Sequence, residues 1–151
     1  MDDNLMATLK KMALEIAGLR RDVEDLKRRE IPAGLWKAWT PASYTGWSAL
    51  PAGGYYFVPI GELVIIRIAM TAGTSNANTA NIALPYSASS INATTGTNGY
   101  AVDNGTGLTV ASRWDIPASS STINFYKDMA AGVWTASGTK RIYCVAIYER
   151  A

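Results

Sequence analysis

The chain has 151 residues, almost half of them hydrophobic, which leaves room for one ordinary domain with its own core and a short appendage. A formal net charge of +2, with basic and acidic residues interleaved, argues against nucleic acid as a partner. The lone Cys144 and the lack of histidine exclude an intrachain disulfide, a Cys/His zinc site and catalysis by an imidazole base.

We also expect a protein that is made in the cytoplasm and does not insert into a membrane. No stretch approaches the roughly 20 consecutive apolar residues that a membrane-spanning helix needs. The sequence begins with Asp2 and Asp3 after the first methionine, and no apolar signal-peptide core follows them.

A narrow apolar stripe runs through the first 30 residues. Its members are spaced alternately four and three residues apart: Leu5, Leu9, Met12, Ile16, Leu19, Val23 and Leu26. This heptad pattern places Leu9, Ile16 and Val23 at a positions and the others at d positions, which is typical of a coiled coil. A stripe this narrow needs other copies of the chain to cover it, so we expect self-association. The alternative is an amphipathic helix that lies on its own domain.

Charged residues beside the stripe favour parallel, in-register chains. Glu15 at a g position faces Arg20 at an e position of a neighbouring helix. Asp22 faces Lys27 in the same way. A parallel homo-oligomer is therefore predicted.

The heptads leave the number of chains open. β-Branched residues at a with leucine at d favour two strands, but Leu9 and Met12 weaken that preference. Dimer and trimer are both compatible with residues 1–30, which we expect to form a coiled-coil stalk that oligomerises and anchors the chain.

The composition changes at residues 31–35: the segment before them is highly charged, and the segment after them is rich in Ala, Ser, Thr, Asn and Gly. Pro32 disfavours helix in the residue before it, and Gly34 lets the chain change direction. We therefore predict a hinge at 31–35 and a head domain at 36–151.

The head is predicted to be a single antiparallel β-sandwich, jelly-roll-like, because short apolar runs alternate with turn signals. Segments 55–58 and 63–70 are expected to form a hairpin. Further strands are predicted at 79–84, 100–102, 108–113, 122–126 and 140–149, with a turn at Asp103-Asn104-Gly105. Strands 63–70 and 140–149 are apolar on both sides, which predicts that both faces are covered, for the first of them with a neighbouring subunit as one candidate.

The order of motifs in the head resembles a β-domain common at the C-terminal ends of bacteriophage tail fibres and minor tail proteins. The matching segments cover most of residues 34–151: WKAWTP at 36–41, YTGW at 44–47, YYFVPIGELVIIR at 55–67, GTS at 73–75, IALP at 82–85 and WTASG at 134–138. A short coiled coil in front of such a head is also similar to phage fibre organisation, in which trimers predominate. The resemblance, not the heptads, favours a homotrimer over a dimer.

This resemblance implies a virion structural protein, a tail fibre or receptor-binding tip that presents β heads to the host surface. Its partners would be sister chains, other virion proteins contacted through the N-terminal helix, and a host glycan or protein. Two alternatives stay open: a capsid spike or decoration protein without receptor binding, and a carbohydrate-processing tail enzyme.

Catalysis is not expected, because the head holds few acids and their spacing brings no two of them together. These acids are Glu62, Asp103, Asp115, Asp128 and Glu149. A glycosidase needs two carboxylates about 5–10 Å apart, and a serine nucleophile would lack its histidine or any recognised motif. We therefore expect no enzymatic activity, no cofactor and no metal site.

Aromatic and polar side chains suggest where a ligand would bind. Trp114, with Asp115 beside it, and Trp134 in a glycine-bounded loop are candidates for stacking on sugar rings. Asn98 closes a loop of small polar residues that suits adaptable hydrogen bonding. The alternative for both tryptophans is packing inside the head.

Overall fold

The computed structural model describes residues 11–12, 14–21 and 35–151. The chain divides into two units, Met1–Leu35 and Trp36–Ala151.

In the first unit, residues 11–12 and 14–21 are α-helical. Met12, Ile16 and Leu19 of the apolar stripe are 52, 49 and 65% exposed. These side chains are uncovered in the single chain, so the coiled coil itself stays a prediction. The remaining predicted members of the seam and of its charged flanks lie outside the described residues: Leu5, Leu9, Asp22, Val23, Leu26 and Lys27.

The second unit contains two β-sheets in which all strand pairs are antiparallel. The larger sheet consists of β1 (Lys37–Ala38), β3 (Gly53–Ile60), β4 (Leu63–Met70), β5 (Gly73–Thr74), β8 (Tyr100–Asp103), β9 (Thr106–Gly107) and β12 (Thr139–Glu149). Its strands follow the order β1-β3-β4-β12-β8-β9, and β5 pairs with β12 beside this path.

The smaller sheet consists of β2 (Tyr44–Thr45), β6 (Asn81–Ala83), β7 (Thr94–Thr97), β10 (Arg113–Ile116) and β11 (Thr122–Tyr126). Its strand order is β2-β6-β11-β10-β7. The prediction of a mainly β head built from antiparallel sheets is therefore confirmed.

One core joins the two sheets. Ile66 and Ile142 of the larger sheet and Ile82 and Ile123 of the smaller sheet are fully buried in the same apolar cluster. The inner faces of both sheets thus supply the side chains of one two-layered sandwich core.

Two tight turns follow from local sequence. Ile60 pairs with Leu63, so β3 and β4 form the predicted hairpin, and Gly61 in its turn has a positive φ of 59°. Asn104 and Gly105, with φ of 50° and 79°, join β8 to β9. Asn-Gly is the pair that such turns favour, because both residues tolerate positive φ.

The prediction that both faces of β4 and β12 are covered is wrong for the single chain. Residues alternate along both strands, with one side buried and the other open. Leu63 is 49% exposed, and Val145 and Ile147 are 56 and 49% exposed. The outer side of these strands is therefore apolar although no other part of the same chain covers it completely.

The predicted strand at 108–113 is also wrong. The chain there has no strand before Arg113, and β10 begins at that residue. Val110, which made the run look strand-like, is 58% exposed and does not face the core. The predicted strand at 79–84 is shorter than expected and spans Asn81–Ala83.

Candidate functional site

The outer face of the smaller sheet carries a row of polar side chains, the polar row. The strand register places its members side by side: Thr95, Asp115, Asn124, Asn81 and Thr45. Their strand neighbours Trp114, Ile123 and Ile82 are buried, so the polar row faces away from the core. Hydroxyl, amide and carboxylate groups therefore cross the whole sheet in one line.

A second line of side chains lies beside the polar row. Arg113 pairs in register with Thr97 on one side and Tyr126 on the other. The Arg113 guanidinium lies 4.7 Å from the centre of the Tyr126 ring. The Tyr126 hydroxyl donates a hydrogen bond of 3.4 Å to Asp115 Oδ2. These contacts hold a cation, an aromatic ring and a carboxylate together.

The electrostatics of this group centre on the tyrosine. Burial raises the pKa of Tyr126, and the negative charge and hydrogen-bonding carboxylate of Asp115 raise it further. The positive charge of Arg113 opposes this rise. Tyr126 therefore presents a neutral hydroxyl at ordinary pH.

Three polar atoms in this region have no hydrogen-bond partner among the described residues although they are enclosed. They are Asp115 Oδ1, Arg113 Nε and Asn98 Oδ1. The amide nitrogen of Asn98 does donate, to Ser112 Oγ at 2.9 Å. Buried polar groups without partners are costly. Because these atoms are enclosed, a bound molecule would reach them only after the surrounding side chains move.

A groove of about 120 Å³ opens beside the β6 and β11 members of the polar row. Its lining combines amide and hydroxyl groups with apolar surface: Asn78, Thr79, Ala80, Asn81, Asn124, Phe125, Tyr126, Gly132, Val133 and Trp134. Such a mixture of directional polar groups on an apolar floor is typical of small-ligand sites.

The two predicted tryptophan platforms are not on the surface, which corrects that part of the prediction. Trp114 is 5% exposed and Trp134 is 2% exposed. The Trp114 indole N–H donates to the Thr97 carbonyl at 3.1 Å, and that of Trp134 donates to the Phe125 carbonyl at 2.8 Å. Because each large ring finds apolar cover and each N–H finds an acceptor, both indoles belong to the core.

The structure brings the other two predicted site residues to the same region. Asp115 is a half-buried member of the polar row, and Asn98 follows β7 at its end. Both are held by contacts to neighbouring strands, and each carries one of the unpartnered atoms. Their role in ligand binding stays a prediction.

Lys140 is a buried cation that the sequence analysis did not single out. It is fully buried on the core side of β12. Its Nζ donates to three carbonyls, those of Gly46 at 3.2 Å, Ala77 at 3.0 Å and Thr79 at 3.2 Å. One ammonium therefore ties two loops to the last strand.

Aromatic rings complete the surroundings of this ammonium. Its Nζ lies 5.4 Å from the Trp47 ring centre and 5.5 Å from that of Trp134. Burial lowers the pKa of Lys140 to about 8, while the negative charge of Asp103 opposes the shift. Alternation along β12 was the available signal, since residue 140 shares the side of Ile142 and Cys144.

Asp103 is held by an ion pair and two hydrogen bonds. Lys127 Nζ lies 2.9 Å from Asp103 Oδ2. Thr135 donates to the carboxylate from its backbone nitrogen at 3.0 Å and from its hydroxyl at 2.9 Å. Burial raises the pKa of Asp103, but these donors outweigh it and hold the pKa below its usual value. The Asp103 carboxylate therefore stabilises the fold by binding Lys127 and Thr135.

The remaining reactive groups of the described region are dispersed. No cluster of three or more histidine, cysteine, aspartate or glutamate side chains occurs within the described ranges. Cys144 is buried, and burial raises the pKa of its thiol to about 12. Asp128 Oδ1 accepts hydrogen bonds from the backbone nitrogens of Ala130 and Gly132, so it stabilises a turn.

No protein-family model matches the chain, and no curated protein matches it significantly. In the described part of the chain, no helix has the length and apolar character required to cross a membrane.

Proposed function

We propose that this chain is a self-associating structural protein of a bacteriophage virion, a homotrimeric tail fibre or receptor-binding tip. The heptad stripe carries the self-association, and the order of the head motifs, which resembles that of phage tail-fibre domains, carries the virion role and the trimer. The proposal includes the finer expectations that the stalk is a parallel coiled coil, that the sandwich is jelly-roll-like, and that the helix also contacts other virion proteins.

The exposure of the stripe supports self-association. Met12, Ile16 and Leu19 lie on described helical residues and are about half exposed or more. Burying the exposed half of each such side chain against a sister helix would contribute about half of the roughly 1.5–3 kcal/mol that complete burial of an exposed side chain is worth. A short helix is marginal by itself in water, so association is the simplest way to stabilise this one.

The polar row supports contact with a glycan. Asn81, Asn124 and Asp115 offer donors and acceptors that match the hydroxyl groups of sugars, and Tyr126 adds an aromatic ring beside them. Each such contact is weak alone. Several heads on one stalk would raise weak contacts into useful avidity.

The seam is tested by replacing two of its residues in the full chain. We expect Ile16→Asp together with Leu19→Asp to lower the mass in solution to that of one chain, because charges would enter the helix interface. Leu14→Asp is the matched control: Leu14 is on the same helix, is 75% exposed and lies outside the heptad seam. Equal behaviour of the seam variant and the control would contradict the proposal.

The ligand is tested by incubating the full chain with host surface polysaccharide. Retention without shortening of the polysaccharide is expected for a receptor-binding protein, and Asn124→Ala should weaken retention more than Asn92→Ala, a change at an exposed loop asparagine. Shortening would instead support a tail enzyme. Absence of both retention and shortening would support a capsid spike or decoration protein.

A further inference from the structure

The outer side of the larger sheet bears an apolar patch, the apolar face, formed by the exposed Ile60, Leu63, Val145 and Ile147 around the half-buried Ile65 and the buried Val58 that pairs with it. The register joins them into one surface, since Ile60 pairs with Leu63 and Ile65 pairs with Ile147. Ile60 and Leu63 are 42 and 49% exposed, and Val145 and Ile147 are 56 and 49% exposed. Adjacent β-branched and leucine side chains on an open sheet are typical of a surface that another protein covers.

The two outer faces of the sandwich differ in chemistry. The smaller sheet presents the polar row, whereas the larger sheet presents the apolar face. Arg67 lies on this open side, in register with Tyr56 and Val145. Two further charged residues lie on the same side of β12: Arg141, and Glu149 at the other end of the patch, where it pairs with Leu63.

We propose that second copies of this chain cover the apolar face, so that the heads pack on one another in the oligomer. This inference rests on the proposed self-association. It adds a specific surface, because a coiled coil alone would leave the heads free.

The chain length between stripe and head favours a copy as the occupant. Residues 27–36 connect Leu26, the last residue of the stripe, to β1. Even when fully extended, this connection spans at most about 40 Å. Chains joined at the stripe therefore keep their heads at an effective concentration of the order of millimolar. At that concentration the apolar face of one head is more often in contact with another head of the same oligomer than with any other protein.

Charge complementarity also favours a copy. Arg67 and Glu149 stand at opposite ends of the apolar face, beside Val145 and Leu63 respectively. A face with a cation at one end and an acid at the other can place the guanidinium of one copy near the carboxylate of the next, which is the heterologous contact that a closed ring of three copies requires.

Cysteine accessibility in the full chain tests this inference. We would compare Ile147→Cys on the apolar face with Thr97→Cys on the opposite, polar side, both at exposed strand positions. The native Cys144 is buried with a raised pKa and should not react. The measurements are the rate of maleimide labelling and the mass of the same samples by sedimentation.

We expect an oligomer in which Ile147→Cys is labelled roughly tenfold more slowly than Thr97→Cys, because labelling requires the heads to separate. An oligomer with equal rates would overturn the inference and leave the proposed self-association standing. A protein that sediments as a single chain and is labelled at equal rates at both positions would overturn both the head packing and the proposed self-association. A single chain in which only Ile147→Cys is protected would overturn both and assign the cover to the chain's own stalk.

A charge variant gives an independent check. Val145→Lys places an ammonium on the apolar face, and Thr95→Lys places one on the polar row. We expect Val145→Lys, and not Thr95→Lys, to shift the sedimentation profile toward smaller species. Alternatively, Val145→Lys combined with Ile147→Cys should be labelled at position 147 faster than Ile147→Cys alone. No change in either measurement would contradict head packing through this face.

Discussion

Replacing Lys140 by methionine should destabilise the head by about 2–4 kcal/mol. The change keeps most of the side-chain volume but removes the ammonium that donates to the carbonyls of Gly46, Ala77 and Thr79. A hydrogen bond to a charged group contributes about 1.5–3 kcal/mol, and leaving a buried acceptor without a donor adds its own penalty.

Two effects keep the expected loss below the sum of three such bonds. The Gly46 carbonyl also accepts from the backbone nitrogen of Asn76 at 3.3 Å, and that of Ala77 accepts from the Ser75 hydroxyl at 3.5 Å. Methionine also avoids the desolvation of a buried charge, which offsets part of the loss.

The assay is urea unfolding of the full chain at a fixed protomer concentration, followed by circular dichroism. The fixed concentration matters because association stabilises the folded state. Lys37→Met is the control, since Lys37 is exposed on β1 and should change stability by less than about 0.5 kcal/mol. A Lys140→Met midpoint equal to that of the control would refute the view that this ammonium ties the loops to β12.

Three further predictions concern pH and packing. Because the folded pKa of Lys140 is lowered to about 8 from 10.5, the unfolded state binds more protons at this group, so its contribution to the unfolding free energy rises with pH; the Cys144 thiol, with a pKa raised from 9.0 to about 12, opposes the rise above pH 9, so we expect a net rise between pH 8 and 9 that is absent in Lys140→Met. Because the pKa of Asp103 is lowered from 3.8, the stability it contributes is present above pH 3.8 and should be lost as pH falls through the folded value; acid titration of Asp103→Asn should lack that component. Gly96→Ala should cost about 1–3 kcal/mol in urea unfolding, because its new Cβ would lie 2.4 Å from the Trp114 ring, whereas Gly99→Ala meets only an ordinary contact and should be much milder.

The parts of the fold that were predictable are those set by local pattern. The β3–β4 hairpin follows from two apolar runs around Gly61, and the β8–β9 turn follows from Asn104-Gly105. The inward side of β12 follows from alternation through Ile142 and its neighbours.

Exposure was harder to predict than strand position. Apolar residues on both sides of β4 and β12 indicated coverage, but sequence does not say whether the cover comes from the same chain. The apolar composition of the open side is consistent with burial in an assembly. In the same way, the tryptophan in β10 and the one in the loop before β12 looked accessible because polar residues and glycines flank them, yet both lie in the core.

The candidate site was predictable only in part, because its geometry depends on register between strands far apart in the chain. Asp115 and Asn98 were selected from their local surroundings. The alignment of Asp115 with Asn124 and Asn81 requires the pairing order β10-β11-β6, which one sequence does not reveal. Lys140 was missed because a lysine in a strand usually faces solvent, and its carbonyl partners come from two distant loops.

Sedimentation equilibrium of the unmodified full chain at micromolar concentration tests the central claim most directly. The stripe and the apolar face predict a discrete species, with a mass three times that of one chain for the proposed trimer. A single species with the mass of one chain would contradict the account, because the exposed Ile16 and Leu19 would then remain in water without sister helices.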